Sequence, residues 1–312
     1  MRIFITGTTG FVGERLMNNL LNSENEIHIL ERYVTGRYAL NKSGNFYTHY
    51  ANLTDYEAIR RLISTIKPEI TIHVGAISAV SYSYEHYIEV SETDYLGTIN
   101  LAESCRKVPD FKQFIFAGTS EEYGMKLKKN KEGKLDQNSE LKPNSPYAIA
   151  KVASDYYLRY MKEAYDFPYT ILRPFNTYGR KNNTHFFIER TISQMLKQDK
   201  VYLGDPEPIR DWLYIDDHIN GYLKAIGNEK AIGKSIPLGT GIGYTIKETA
   251  ELISELINFK GEIIWNSIPK RPLDAASLIC DTKYANEILN WKPEYSLKEG
   301  LTKTIDLWRG IK

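Results

Sequence analysis

At Gly7 a β-branched run, Arg2-Ile-Phe-Ile-Thr6, breaks into Gly7-Thr8-Thr9-Gly10-Phe11-Val12-Gly13, and an amphipathic helical pattern follows at once. A strand that turns this tightly into a helix has a narrow set of uses. Glycine at 7 permits a positive φ, and a missing side chain at 10 lets an anion approach the backbone. Glycine at 13 lets the helix pack closely on the strand, while the N–H groups around Phe11 and Val12 and the helix dipole face the anion. The anion such a turn holds is the pyrophosphate of a dinucleotide. The spacing is G-x-x-G-x-x-G, a variant of the commoner fingerprint. A glycine triplet alone is weak evidence, and its position between a strand and a helix carries the reading.

The pattern repeats down the chain. Candidate strands at residues 2–6, 26–31, 46–51, 70–74, 113–117 and 169–173 alternate with candidate helices at 10–22, 55–66, 91–107 and 145–164. Strands separated by helices of this length require crossover connections, which predicts an α/β, Rossmann-type doubly wound parallel sheet. Thr54-Asp55 is an N-cap signal and Pro68 a stop. Beyond about residue 180 the alternation loosens, with helical stretches at 184–197, 216–227 and 245–258 among Pro/Gly turns. The expected organisation is a cofactor domain over 1–180 and a smaller C-terminal substrate lobe over 181–312, with the chain crossing between them. The basic run at 126–134 reads as a solvated loop, with a substrate lid as the alternative.

Among 312 residues, 42% are apolar and the formal net charge is +1. That charge gives no global field for nucleic acid or an anionic membrane surface, so neither partner is expected. The two cysteines, Cys105 and Cys280, read as reduced core thiols. The six histidines show no metal-ligand spacing, and no metal site is expected. The N-terminus reaches its glycines too soon for a signal-peptide core, and no apolar run is long enough to span a bilayer. A cytoplasmic location is expected.

Strand two ends in Leu30-Glu31-Arg32, 18 residues after Gly13. Glu31 there would accept the ribose hydroxyls of NAD and repel the 2′-phosphate of NADP. Arg32 and Arg37 pull toward NADP, so NAD is expected with NADP as the alternative. Asn52 and Leu53 follow strand three where an adenine can be held. The run His73-Val-Gly-Ala76-Ile-Ser78 ends strand four at the edge where such sheets bind ligands. Ala76 is assigned to the cofactor and Ser78 to the substrate, while His73 reads as a packed strand residue.

Tyr147 and Lys151 open a helix at i,i+4 spacing, one turn apart on one face. A phenol titrates near ~10, and a neighbouring ammonium together with a cationic nicotinamide ring would favour the phenolate that takes a hydroxyl proton. The chain has 23 tyrosines, so the pair means little alone and much beside the glycine turn. Strand five ends in Gly118-Thr119-Ser120-Glu121-Glu122-Tyr123-Gly124. Thr119 can hydrogen-bond the oxygen being oxidised, and a carboxylate can serve as a second acid or base. For Glu122 a polar strand-capping role is an equal alternative.

Taken together, the glycine turn, the Tyr147/Lys151 pair and the Thr119–Gly124 loop resemble the extended short-chain dehydrogenase/reductases, the NAD-dependent epimerases and dehydratases. The stretches Arg173-Pro-Phe-Asn176-Thr-Tyr-Gly179, Arg210-Asp-Trp-Leu-Tyr-Ile-Asp216-Asp217 and Asn290-Trp-Lys-Pro293 extend the resemblance over nearly the whole chain. It implies a nucleoside-diphosphate sugar as substrate and a homodimer. It also implies that Asn176 contacts the sugar-phosphate, Arg210 the diphosphate and Arg271 the nucleotide end, alongside Ser120. A structural ion pair is the alternative for each arginine.

Within the family, Thr119-Ser120-Glu121, residues 180–190 and Arg210-Asp-Trp212 look most like GDP-mannose 4,6-dehydratases. Glu121-Glu122-Tyr-Gly is also similar to 4-keto-6-deoxy-sugar reductases. Glu31, Asn52, Asp94 and Gly75 depart from the usual residues. The implied reaction oxidises C4 through Tyr147, Thr119 and Lys151, removes the C5 proton through Glu121, expels water from C6 and returns the hydride there. The alternatives are a 4-epimerase, a 4-ketoreductase and, in another class, a catalytically silent NAD-binding regulator.

Overall fold

The computed structural model describes residues 1–21, 23–33, 45–124 and 133–310, so Asn22, Arg37 and residues 126–132 of the basic run lie outside the described residues. The chain runs β1 (Arg2–Thr6), α1 (Phe11–Leu20), β2 (Glu26–Glu31), β3 (Phe46–Tyr50), α2 (Tyr56–Ile66), β4 (Ile70–His73), α3 (Val80–Ser83) and α4 (Tyr87–Val90). A π-helical turn (Ser91–Leu96), α5 (Gly97–Arg106), β5 (Gln113–Ala117), α6 (Pro146–Tyr165), β6 (Tyr169–Pro174), β7 (Asn176–Tyr178) and α7 (Phe187–Met195) follow. The remainder is β8 (Lys200–Tyr202), β9 (Ile209–Tyr214), α8 (Ile215–Ala225), β10 (Lys234–Leu238), β11 (Gly243–Thr245), α9 (Ile246–Ile257), β12 (Glu262–Ile264), β13 (Ser277–Leu278), α10 (Lys283–Leu289) and α11 (Leu297–Arg309).

Local chemistry sets the boundaries. The Asp55 side chain accepts the Ala58 N–H to start α2, which ends in a left-handed Lys67 before Pro68. Ser145 caps α6, with Pro146 where a missing N–H costs nothing. Capping boxes at Thr245/Glu248 and Ser296/Glu299 open α9 and α11.

The described residues form two compact units that interleave along the chain. One comprises residues 1–122, 145–173 and 219–236, and the other residues 123–144, 174–218 and 237–312. A single boundary at residue 180 therefore does not describe them, because 123–144 and 219–236 each fall on the opposite side of it.

The first unit is built on a seven-stranded sheet in the order β10-β6-β5-β4-β1-β2-β3. The pairs β1–β2, β2–β3, β1–β4, β4–β5 and β5–β6 are parallel. Strand order reverses between β1 and β4, and the crevice beyond their carboxyl ends is where such sheets take ligands. The strands are nearly continuous apolar runs: on one face Phe4, Phe114, Phe116 and Ile171 pack with Ile59 and Ile63 of α2 and Leu158 and Met161 of α6, and Ile3, Ile5 and Ile115, which alternate to the other face, are buried too.

The strand β10 was not anticipated from the sequence. Its Pro237 argues against a strand, and its place at the sheet edge is what makes that proline tolerable. The helix expected over 91–107 is interrupted instead by the π-helical turn.

The second unit holds a small sheet, β11-β9-β13 with β7 also on β9. Asp211, buried on β9, accepts from Thr240 N, Thr240 Oγ1, Gly241 N and Cys280 N at 2.7–3.1 Å, which pins two loops to the sheet. Both cysteines are buried and free, and burial pushes both thiols up. No helix among the described residues is long and apolar enough to cross a membrane.

Candidate active site

The glycine turn is built as the spacing requires. Gly7 has φ +77°, and a Cβ there would lie 2.5 Å from Gly75 N on the adjoining β4 edge. A Cβ on Gly13 would fall 2.2 Å from Gly7 O, so the helix can sit against the turn only as glycine. Gly10 is exposed, is the extended N-cap of α1, and caps with no side chain. A Cβ on it would meet only Gly7 O at 3.2 Å. The result is a helix N-terminus presented over bare backbone, a cradle suited to a pyrophosphate. Phe11 and Val12 are half-buried in the first turn. The residues present fit a dinucleotide.

Around this turn the other cofactor candidates separate. Glu31 is 2% exposed at the carboxyl end of β2, next to β1, as a ribose-binding carboxylate requires. Arg32 is exposed and lies over the Tyr33 ring at 5.3 Å. Asn52 is exposed with its Oδ1 accepting from Thr54 N, Leu53 packs into the core, and Ala76 is half-buried. Beneath the turn a buried chain runs from Thr6 Oγ1 to His73 Nδ1 at 2.7 Å and from His73 Nε2 to Thr98 Oγ1 at 3.0 Å. Burial holds the His73 imidazole down at about 3, so it stays neutral and ties β1, β4 and α5 together. The packed-residue reading of His73 is the one this geometry matches.

The structure brings Thr119, Glu121, Tyr147 and Lys151 together in the same unit. Thr119 Oγ1 accepts the Glu121 N–H at 3.2 Å, and the Thr119 hydroxyl favours the Tyr147 phenolate. Lys151 lies 2% exposed, donates to Ala117 O at 2.9 Å, and sits 4.6 Å over the Phe116 ring. Ser120 is buried beside Glu121, whereas Ser78 is exposed in the loop before α3.

The electrostatics differ from expectation at one point. Burial, then the charges of Asp94, Glu122 and Glu121, push the Tyr147 phenol up, with the Thr119 hydroxyl opposing them. The Lys151 ammonium is itself pushed down by burial and held up by Asp94 and Glu122. In the protein alone, therefore, Lys151 does not lower Tyr147 below its ordinary range, because burial, with three carboxylates behind it, pushes the phenol the other way.

Glu122 is 0% exposed, with Oε1 accepting the Thr119 N–H at 2.8 Å and Oε2 receiving Arg173 Nε at 2.8 Å. Arg173 also donates to Asp155 Oδ2 at 2.7 Å. This buried triad ties the Thr119 loop, the end of β6 and α6 to one another. Glu122 is thus a positioning group for Thr119, the strand-capping alternative weighed for it. The sequence signals only that an arginine ending an apolar strand needs a buried partner, and not which residues supply it.

The remaining candidates belong to the second unit. Asn176 Oδ1 is buried with no hydrogen-bond partner among the described residues, as an amide kept for a ligand would be. Arg210 donates to Ala275 O at 2.8 Å and Ile209 O at 2.9 Å, and pairs with Asp274 Oδ1 at 2.7 Å, the structural ion pair left open for it. Arg271 is exposed. Its charge, after burial, depresses the neighbouring Arg190, a residue singled out only as part of a stretch. Arg190 donates to Thr184 O at 3.0 Å and His185 O at 3.2 Å, and an anion near both cations would ease their repulsion. No cluster of metal-ligand residues occurs among the described residues.

The family described as GDP-mannose 4,6 dehydratase matches residues 4–304. The chain belongs to this family. As a member it is an enzyme, and the expected Rossmann-type parallel sheet is the one observed. The chain is similar to the UDP-glucose 4-epimerase of Thermotoga maritima solved with UDP-glucose, at 28% identity over 99% of both chains and a TM-score of 0.88. It is similar also to the Thermus thermophilus UDP-glucose 4-epimerase in complex with NAD, at 26% identity over 100% of both chains and a TM-score of 0.87. By sequence it is similar to dTDP-glucose 4,6-dehydratase 1 of Escherichia coli, at 24% identity over 98% of this chain and 92% of that one.

Proposed function

We propose that the protein is an NAD-dependent nucleotide-sugar 4,6-dehydratase acting on a nucleoside-diphosphate hexose. The observation that carries this is Glu121. Its carboxylate, 8% exposed, belongs to the loop that carries Thr119 and its charge acts on Tyr147, where a second proton acceptor serves to break the C–H bond beside the new ketone. Tyr147 takes the 4-hydroxyl proton and Thr119 hydrogen-bonds the same oxygen. Glu121 then takes the C5 proton, which the C4 ketone has made acidic, and passes it to the C6 hydroxyl, which departs as water. NAD, when bound, supplies reversible hydride exchange and a positive ring charge. Gly7, Gly10 and Gly13 hold its pyrophosphate and Glu31 its ribose. Asn176, Arg271 and Arg190 serve the sugar-diphosphate, and the paired Arg210 stiffens the β9 side of that site.

A 4-epimerase is the second reading, favoured by the two UDP-glucose 4-epimerases reported above. It uses the same Tyr147 and Lys151 and has no need of Glu121. The test is mass spectrometry of products from GDP-, UDP-, dTDP- and CDP-hexoses with catalytic NAD, using wild type and Glu121→Gln. Loss of one water with one nucleotide, cut roughly 10²-fold or more in the variant, is the expected outcome. Unchanged mass with inverted C4, insensitive to the substitution, would establish the epimerase instead.

A homodimer is proposed from the surface of the first unit. On α6, Ile149, Tyr156 and Tyr160 are 56%, 58% and 50% exposed at i, i+7 and i+11, one helix face. Tyr87 and Ile88 of α4 and Leu96 are also exposed, at 56%, 59% and 48%. Large apolar side chains left facing water on neighbouring helices suit burial by a second copy. Sedimentation equilibrium should find a dimer for wild type and a monomer for Tyr156→Glu with Ile88→Glu. A monomeric wild type at micromolar concentration would sink the idea.

A further inference from the structure

The π-helical turn before α5 carries a buried carboxylate that the reaction as described does not use. Asp94 is 0% exposed. Its Oδ1 accepts the Ile77 N–H at 2.8 Å, and its Oδ2 has no hydrogen-bond partner among the described residues. Its main-chain oxygen receives two hydroxyls, Thr98 Oγ1 at 2.6 Å and Ser154 Oγ at 3.0 Å. Ser154 lies on α6 seven residues after Tyr147 and three after Lys151, so the side of α6 carrying both reactive groups is the side facing Asp94. A π turn inserts a residue into a helix and releases a carbonyl from the ladder, and such turns mark functional positions. Here the Asp94 carbonyl, within that turn, takes the Ser154 hydroxyl and so anchors Asp94 to α6.

We propose that Asp94 is a positioning residue of the Tyr147/Lys151 pair, a buried counter-charge that keeps Lys151 an ammonium and sets the pH range in which Tyr147 gains and loses its proton. The proposal rests on the reading of Tyr147 and Lys151 given above and holds equally for dehydration and epimerisation. A lysine 2% exposed with one backbone carbonyl as its hydrogen-bonded oxygen needs an anion nearby to stay charged. The charged and titratable groups facing Asp94 are Lys151 and Tyr147 on α6 and Glu89 on α4. Glu122 acts from the other side, on Lys151. Burial pushes the Asp94 carboxyl up to about 6 against the pull of Lys151 and the Ile77 N–H, so at neutral pH it is mostly ionised. An ionised Asp94 raises both neighbours, Lys151 and Tyr147 alike.

Asp94→Asn keeps an oxygen for the Ile77 N–H and removes the charge. Turnover by this pair rises with pH as Tyr147 deprotonates and falls as Lys151 does. Loss of the anion lowers both, so both limbs of the kcat/KM profile should move to lower pH by roughly a unit, with the maximum little changed. At a fixed pH on either limb that is about a tenfold change in rate, a gain on the acid side and a loss on the alkaline side. A purely structural Asp94 would lower the melting temperature and the maximum while leaving both limbs in place, and that result overturns the proposal. If wild type turns over no sugar nucleotide, the functional reading fails separately. NMR of the NAD-loaded protein with tyrosine labelled at Cζ, assigned through Tyr147→Phe, then decides the present question. A Tyr147 midpoint lower in Asp94→Asn supports the counter-charge, and an unmoved one refutes it.

Discussion

Tyr147→Phe is expected to lower kcat by roughly 10²- to 10⁴-fold on the substrate that the panel identifies, with KM and NAD affinity little changed. The ring is retained, and with it the packing of Tyr147 against Val90, Ala150 and Ile77. What is lost is one hydroxyl, and with it about 1 kcal/mol of stability or less. A large kinetic effect beside a small thermal shift is therefore the signature of a proton-transfer group. The measurements are steady-state turnover, NAD titration and thermal melting of the same preparations. Retention of full turnover would remove the enzymatic role assigned to the pair and revive the silent regulator.

Arg173→Leu is expected to destabilise the first unit by about 3–5 kcal/mol, because it strands Glu122 and leaves Asp155 with Arg159 alone, in a site from which water is excluded. Arg173, Glu122 and Asp155 have side chains that are each 0% exposed. The deficit should depend on pH in a definite direction. Burial already pushes Glu122 up against the pull of Arg173, and without the arginine it is pushed further. A carboxyl whose folded pKa lies above its unfolded value of ~4.3 adds stability below that value and loses it as pH rises through the folded one. Urea midpoints should therefore show the variant's largest deficit above neutral pH and a shrinking one toward pH ~5. Adding Glu122→Gln should restore much of the loss, since the carboxylate left without a partner is then gone while Asp155 keeps Arg159. An equal deficit at all pH values would mean that packing of the arginine, rather than its charge, holds the Thr119 loop.

The two predictions draw on parts of the molecule that the sequence revealed unequally. Tyr147 and Lys151 were legible because helical spacing alone puts i and i+4 on one face, and Ser145-Pro146 marks where that helix starts. The glycine turn was legible because its demands are local, a positive φ at Gly7 and no side chain at Gly13. The triad was not, since Glu122, Asp155 and Arg173 lie on three elements and only the sheet order brings them together. Arg210 was similarly ambiguous until Asp274 was seen to be its partner. The edge strand β10 was hidden by a proline whose tolerance depends on where the strand lies in the sheet.

From its sequence alone the chain had to alternate strand and helix and open on a turn made for a pyrophosphate. It also had to bear a phenol and an amine one helical turn apart, because backbone stereochemistry and the 3.6-residue period act within a few residues. The tertiary structure alone decided the charge state of that pair. Burial and the carboxylates of Asp94, Glu121 and Glu122 push Tyr147 up, and no spacing in the chain announces how far water is excluded or which charges face each other across it.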